Sequence, residues 1–253
     1  MKEIQVKKVM IGKGRPKICV SLTGGTKKEI LSEAQELKKF PVELAEWRAD
    51  YFEQIEDIEK MLDVLWSLEE ILNEIPLIFT FRTKKEGGKR QIGTEEYIEL
   101  IKKAAWKGHP DMIDVELSLG KEEVKEIVLF LHKYKVRAIV SVHDFQKTPC
   151  QKELISCFQT IQTTGADICK IAVMPQVKKD VLILLNASEE IQRKYADRPY
   201  IMISMGEEGK ISRICGELTG SAVTFGTIDK ASAPGQIPAE ELDQILNIFH
   251  GNK

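Results

Sequence analysis

Residues 136–173, VRAIVSVHDFQKTPCQKELISCFQTIQTTGADICKIAV, hold one complete strand–helix–strand unit. VRAIVSVHD (136–144) alternates, with Val136, Ala138, Val140 and Val142 on one parity and Arg137, Ile139, Ser141 and His143 on the other, the period of two that marks a strand. Leu154, Phe158 and Ile161 then recur at helical spacing, and DICKIAV (167–173) returns to a strand. The same unit repeats in both directions. Upstream, KICVSL (17–22) precedes Ile30, Leu31, Ala34 and Leu37, and VELAEWR (42–48) precedes Ile58, Met61, Leu62, Leu65 and Leu68. PLIFTFR (76–82) precedes Tyr97, Ile98, Ile101 and Ala105, and DMIDVEL (111–117) precedes Val124, Ile127, Val128 and Leu131. Downstream, DICKIAV leads into Val181, Leu184, Leu185 and Ile191. PYIMISM (199–205) leads into a shorter helical stretch near Ser212 to Leu218, and AVTFG (222–226) into a last helix over about Ala239 to His250.

Strands alternating with helices argue for a parallel sheet covered by helices. Eight such pairs in about 250 residues are the arithmetic of a (β/α)8 TIM barrel. A doubly wound open sheet is the alternative, but no GxGxxG follows the first strand to support a dinucleotide fold. The alternating EIQVKKVMIG segment at the front is expected to form an N-terminal β-hairpin closing the bottom of the barrel. No low-complexity linker divides the chain, so residues 1–253 read as one domain.

The charges, 37 Lys and Arg against 39 Asp and Glu, sum to −2 and give no support to nucleic-acid binding through bulk charge. No stretch approaches the roughly 18 uninterrupted apolar residues of a membrane span, and the charged start MKEIQVKKVMIGKGR lacks the apolar core of a signal peptide. Cys19, Cys150, Cys157, Cys169 and Cys215 are odd in number and widely spaced, which points away from a disulfide framework and toward a reducing cytoplasm. One strand-end histidine with dispersed carboxylates is not a recognisable metal-ligand set.

The strands carry charges where apolar residues would be expected. Glu46 and Arg48 share a parity in VELAEWR, as do Thr80 and Arg82 in PLIFTFR, Asp114 and Glu116 in DMIDVEL, Ser141 and His143 in VRAIVSVHD, and Lys170 lies opposite Cys169 and Ile171 in DICKIAV. Helices would cover the apolar parity, leaving the polar one to line the interior near the C-terminal mouth, where such barrels build active sites. A one-sided antiparallel sheet also alternates in this way, but the intervening helices argue against it.

Lys170 sits mid-strand between apolar neighbours, where burial would disfavour its charged form and leave a nucleophilic amine, as Schiff-base chemistry on a carbonyl requires. The competing reading is a structural lysine paired with Glu46 or Glu116. His143 alone among four histidines ends a strand at the top, on the strand beside Lys170. Arg48, Arg82 and Arg213 are placed to recognise carboxylates or phosphates, whereas Arg90 belongs to a charged loop, KKEGGKR (84–90), and reads as solvated. Glu86 in that loop is within reach of a histidine at the mouth. The last loop, DKASAPGQ (229–236), offers Ser232 and Gln236 and reads either as a lid or as an ordinary turn.

Taken together, EWRAD (46–50), FTFRTKKEGG (79–88), IDVEL (113–117), HDF (143–145), DICKIAVMPQ (167–176), ISRICGE (211–217) and FGTIDKASAPGQI (225–237) resemble the type I 3-dehydroquinate dehydratases, from about Lys17 onward. The resemblance implies a (β/α)8 barrel, usually dimeric and needing no metal or organic cofactor, that converts 3-dehydroquinate to 3-dehydroshikimate. It implies Lys170 as the Schiff-base lysine, His143 as the general acid/base and Glu86 as the carboxylate orienting it. Glu46, Arg48 and Arg82 would hold ring hydroxyls, Arg213 the substrate carboxylate, and Ser232 and Gln236 the closing loop, with Ser21 a further contact. The loop is expected to order when ligand bridges it to Arg213 on the opposite rim. Val142, Cys169 and MISMGEEG (202–209) depart from the family's usual Asn, Pro and Met-Ser-Met-Ser. A class I aldolase and a barrel that only binds a sugar acid are the rival readings.

Overall fold

The computed structural model describes residues 2–229 and 231–251. Its chain opens with an antiparallel hairpin, β1 (Ile4–Val6) and β2 (Val9–Ile11), turning at Lys7 with φ 49°. Strand–helix units follow in order: β3 (Lys17–Leu22) and α1 (Lys27–Leu37), β4 (Leu44–Arg48) and α2 (Ile58–Leu72), β5 (Leu77–Thr80) and α3 (Thr94–Lys103), β6 (Met112–Glu116) and α4 (Lys121–Lys133). Then come β7 (Arg137–Asp144) and α5 (Gln151–Thr163), β8 (Ile168–Val173) and α6 (Lys178–Lys194), and β9 (Tyr200–Ser204) with two short turns of helix, α7 (Ile211–Ile214) and α8 (Gly216–Thr219). The last unit is β10 (Val223–Thr227), a two-residue strand β11 (Ile237–Pro238) and α9 (Ala239–His250).

Strands β3 to β9 pair in sequence order, each parallel to the next, and β10 pairs with β3. The ring closes where the Ala222 N–H donates to the Tyr200 carbonyl at 2.8 Å and Tyr200 bridges Ser221. On its edge away from β3, β10 also takes β11, through Gly226 and Thr227. This is a parallel barrel wrapped by helices, with the expected hairpin in place.

Two apolar clusters follow directly from the alternation of the strands. The outward parity, including Trp47, Phe79, Val115, Val140 and Ile171, packs against Leu62, Leu65, Ile101, Ile127, Phe158 and Leu184 of the helices. The inward parity is wholly apolar in its lower layer, where Cys19, Leu44, Ile78, Met112, Ile139, Ile168 and Ile201 meet Val6 and Ile11 of the hairpin. The hairpin thus plugs the bottom, and Lys7 ties it down through an ion pair to Asp111 at 3.1 Å. Helix starts follow local chemistry: Thr26 and Glu29 form a capping box on α1, and Asp57 accepts from the Glu59 and Lys60 N–H groups on α2.

Two local details differ from expectation. The helical stretch near Ser212 to Leu218 is broken at Cys215, and the next residue, Gly216, packs so close to Pro16 that a Cβ there would come within 2.6 Å of its ring. A wide helical turn over 104–108 extends α3 and ends at His109, with φ 47°. Among the described residues no helix is long and apolar enough to cross a membrane.

Candidate active site

Strand register assembles the upper layer of the interior. Ser21 pairs with Glu46, Arg48 with Thr80, Thr80 with Asp114, Glu116 with Ser141, Ser141 with Lys170, and His143 with Ala172. A cavity of about 180 Å³ opens above this layer, and all ten residues expected at the site line it: Ser21, Glu46, Arg48, Arg82, Glu86, His143, Lys170, Arg213, Ser232 and Gln236. Arg90 stays outside the cavity and donates to the Glu53 carbonyl.

Lys170 is buried, yet it is not the isolated amine that its apolar sequence neighbours suggest. Cys169 and Ile171 face the helices. The amine itself lies 2.9 Å from Asp114 Oδ2 and 3.5 Å from Glu46 Oε1, and 4.7 Å from the centroid of the Phe225 ring. Glu46 is therefore a partner, as the structural-lysine reading anticipated, but Glu116 is not. Glu116 instead accepts from Arg82 Nη1 at 3.0 Å and from the Thr83 N–H and hydroxyl.

Arg82 is the hub of the anionic wall. Its guanidinium lies 2.8 Å from Asp114 Oδ1 and also donates to Ser141 at 3.0 Å. Burial works against its charge, but Asp114, Glu116 and Glu86 outweigh it and hold Arg82 well above its ordinary pKa. Burial likewise opposes ionisation of Asp114, yet Arg82, Lys170, His143 and a 2.6 Å hydrogen bond from Ser141 bring its carboxyl below the usual carboxylate range. Arg48 is gripped by Asp50 through Nε and Nη2, both at 2.9 Å. The Asp50 carboxylate also accepts the Arg82 and Lys89 N–H groups, so one buried side chain fixes an arginine and the loop carrying Glu86.

Glu86 Oε2 accepts the His143 main-chain N–H at 3.0 Å and lies 3.1 Å from His143 Nδ1. Burial, opposed by Arg82 and reinforced by Glu116, raises the Glu86 pKa to about 7. The His143 side chain is only 10% exposed. Burial, together with Arg82 and Lys170, holds its pKa well below the ordinary 6.5. The ring is therefore neutral at physiological pH. With Nδ1–H donating to the Glu86 carboxylate, the Nε2 lone pair is left to act as a base.

Arg213 differs from the other arginines. It is 1% exposed, donates to the Phe225 and Pro234 carbonyls at 3.3 and 2.9 Å, and leaves a buried Nε without a partner. Among the described residues no carboxylate lies within ion-pair distance of it, and burial lowers its pKa to about 10. A buried cation of this kind calls for an external anion. Its contact with Pro234 also corrects the expectation that Arg213 faces the last loop from the opposite rim; the two are adjacent. Within that loop, Gln236 accepts from the Ser232 N–H and donates to its hydroxyl, and Ser232 donates to Ser21 at 3.0 Å. Lys230, also in the expected loop, lies outside the described residues.

Asp114, Asp50, Ser141 and Phe225 were not singled out from sequence. Asp114 and Ser141 lie on the polar parity, which was the available signal; Asp50 sits in a turn after β4, where no periodicity applies. Val142 and Cys169 point outward into the layer between sheet and helices, so these two departures from the family pattern do not touch the cavity. Ile203 and Met205 of MISMGEEG line it.

A family model described as type I 3-dehydroquinase matches residues 18–253. The chain is 49% identical to the 3-dehydroquinate dehydratase of Clostridioides difficile (strain 630) and 52% identical to that of Clostridium botulinum (strain Eklund 17B / Type B), in each case over 98% of both chains. Among solved structures, type I 3-dehydroquinate dehydratase from Clostridium difficile with covalently modified comenic acid is 49% identical, with a TM-score of 0.95 over 98% of both chains. The Geobacillus kaustophilus HTA426 enzyme is 38% identical, with a TM-score of 0.95 over 98% of this chain and 96% of that one.

Proposed function

This chain belongs to the type I 3-dehydroquinase family and dehydrates 3-dehydroquinate to 3-dehydroshikimate in the shikimate pathway, and we propose that the Schiff base characteristic of that family forms on Lys170. The observation that carries the assignment is the position of its amine: among the described residues Lys170 is the only lysine lining the cavity, one strand away from His143.

The chemistry follows from these positions. Lys170 adds to the substrate ketone; the carbinolamine loses water and leaves an iminium. That cation withdraws electrons, so the adjacent carbon becomes acidic enough for Nε2 of neutral His143 to take its proton. The enamine formed expels the hydroxyl on the next carbon, and His143, now protonated, returns its proton to that leaving group. Glu86 holds Nδ1–H throughout, stabilising the imidazolium while it exists. Water then hydrolyses the imine and frees the enone.

Binding is divided among the other groups. Glu46, Arg48 and Arg82 hold the ring hydroxyls, and Arg213 takes the carboxylate. Ser232, Gln236 and Ser21 close the near side as a hydrogen-bonded trio. The covalently modified comenic acid named in the relative's crystal structure is in keeping with a nucleophile in this cavity. The assembly is a homodimer, as the family resemblance implies, and the compartment is the cytoplasm, which suits five free cysteines.

Turnover of 3-dehydroquinate, followed by the ultraviolet absorption of the conjugated product, tests the reaction. Borohydride added with substrate should leave one adduct, mapped by peptide mass analysis to Lys170. An adduct on another lysine, or full activity in Lys170→Ala, would remove Lys170 from the mechanism. Sedimentation at twice 28.7 kDa tests the dimer.

A further inference from the structure

Asp114 is buried beneath the cavity floor and is absent from its lining. Both of its oxygens are nevertheless committed: Oδ2 to Lys170 Nζ at 2.9 Å, Oδ1 to the Ser141 hydroxyl at 2.6 Å and to Arg82 at 2.8 Å. Glu46, the other carboxylate near the amine, is farther away at 3.5 Å, accepts from Ser21 and Thr80, and opens onto the cavity. On another side of the same nitrogen stands the Phe225 ring, whose face attracts cations. The amine is thus bounded by groups of complementary charge and polarity, and the closest one stands outside the cavity lining.

We infer that Asp114 is a further catalytic residue, a fixed counter-charge that keeps the nitrogen cationic once the Lys170 amine has condensed with the ketone to the iminium. This rests on Lys170 being the Schiff-base lysine. The proton balance over the whole condensation calls for no lasting proton acceptor. Ammonium and ketone become iminium and water with no net proton gained or lost, because the two protons shed by nitrogen leave with the carbonyl oxygen as that water. Asp114 need never be protonated, and its donors Arg82 and Ser141 are arranged to prevent it. What it preserves is the charge on the imine, without which the neighbouring carbon is not acidic. Other groups facing it are His143 from β7, Glu46 from β4, Glu116 on its own strand, and Glu86 and Tyr97 at longer range.

The test uses cyanoborohydride, which reduces an iminium but spares a neutral imine. With 3-dehydroquinate present, wild-type trapping at Lys170 should persist to high pH. In Asp114→Asn the pH above which trapping fades should fall by about one to three pH units, the effect of losing an opposite charge at this range. In the same variant kcat should drop at least about tenfold, while KM changes far less. A variant whose trapping fades at the wild-type pH, with the label still on Lys170, overturns the counter-charge and leaves the Schiff base standing. A wild-type label on a different lysine removes the premise instead. Should Asp114→Asn fail to fold, Asp114→Ala with added formate takes its place: trapping that returns with formate supports the inference, and trapping indifferent to formate overturns it.

Discussion

Replacing Arg213 with methionine should make the empty protein more stable and the enzyme nearly inactive. The guanidinium is buried with no carboxylate in reach among the described residues, and burial brings its pKa from 12.5 to about 10. At 1.36 kcal/mol per pH unit this is a cost of about 3 kcal/mol to the folded state at neutral pH. The sign follows from the direction of the shift: the folded protein holds this proton less tightly than the unfolded chain. The penalty is therefore complete below about pH 10 and is relieved as pH rises from there toward 12.5. Methionine keeps the apolar stem and removes the charge, but forfeits hydrogen bonds to the Phe225 and Pro234 carbonyls, at about 1 kcal/mol each. A net gain of about 1 kcal/mol remains, or about 2–4 °C in Tm for a chain of this size. Losing the partner of a buried substrate carboxylate costs about 2–5 kcal/mol, so kcat/KM should fall roughly thirtyfold to several thousandfold. Thermal unfolding with and without saturating product, beside steady-state kinetics, reads both effects. A variant less stable than wild type when empty, or one stabilised by product as much as wild type, would refute the account of Arg213 as a cation awaiting an anion.

Three other substitutions probe the rest of the site. His143→Ala should lose roughly 10²–10⁴ in rate while imine-linked ligand accumulates on Lys170 by mass spectrometry; near-normal turnover would reduce His143 to a structural role. Because Glu86 titrates at about 7 in the fold against an ordinary 4.5, the folded state binds its proton more tightly and stability should decline as pH rises from 4.5 through 7. Glu86→Gln should remove that decline in unfolding measurements, and with it the acid limb of kcat near pH 7. Gly87 has φ 85°, and a Cβ there would lie 2.3 Å from the Phe145 ring, so Gly87→Ala should displace the Glu86 turn and lower kcat about tenfold or more. Pairing it with Phe145→Ala should recover part of the loss, and a double mutant no better than the single one would show that the clash is not the cause.

Alternation made most of this site readable in advance. Glu46, Arg48, Arg82, His143 and Lys170 share the polar parity of successive strands, so the barrel hypothesis alone sends them to one interior. What the chain could not disclose is which partners they meet there. Lys170 sits among apolar residues in sequence, but those residues cover the outside of the strand; its closest partner comes from β6, 56 residues earlier. Asp50 escaped notice because it lies in a short turn, and its work, tying Arg48 to the Lys89 N–H, spans 39 residues and leaves no local pattern. The close packing of Gly216 on Pro16 likewise joins segments far apart in the chain. Periodicity reports faces; contacts between distant segments depend on register and reach, which periodicity does not encode.

The hairpin plug has a consequence for traffic. With Val6 and Ile11 packed into the lower apolar layer, the barrel is, among the described residues, a well closed at its base and open at its mouth. Substrate, product, the two waters released and the one consumed must all pass the rim bordered by Arg213, Ser232 and Gln236. A molecule seated in that doorway blocks exit as well as entrance, so anything covalently held at Lys170 is shielded from the hydrolysis that would free it.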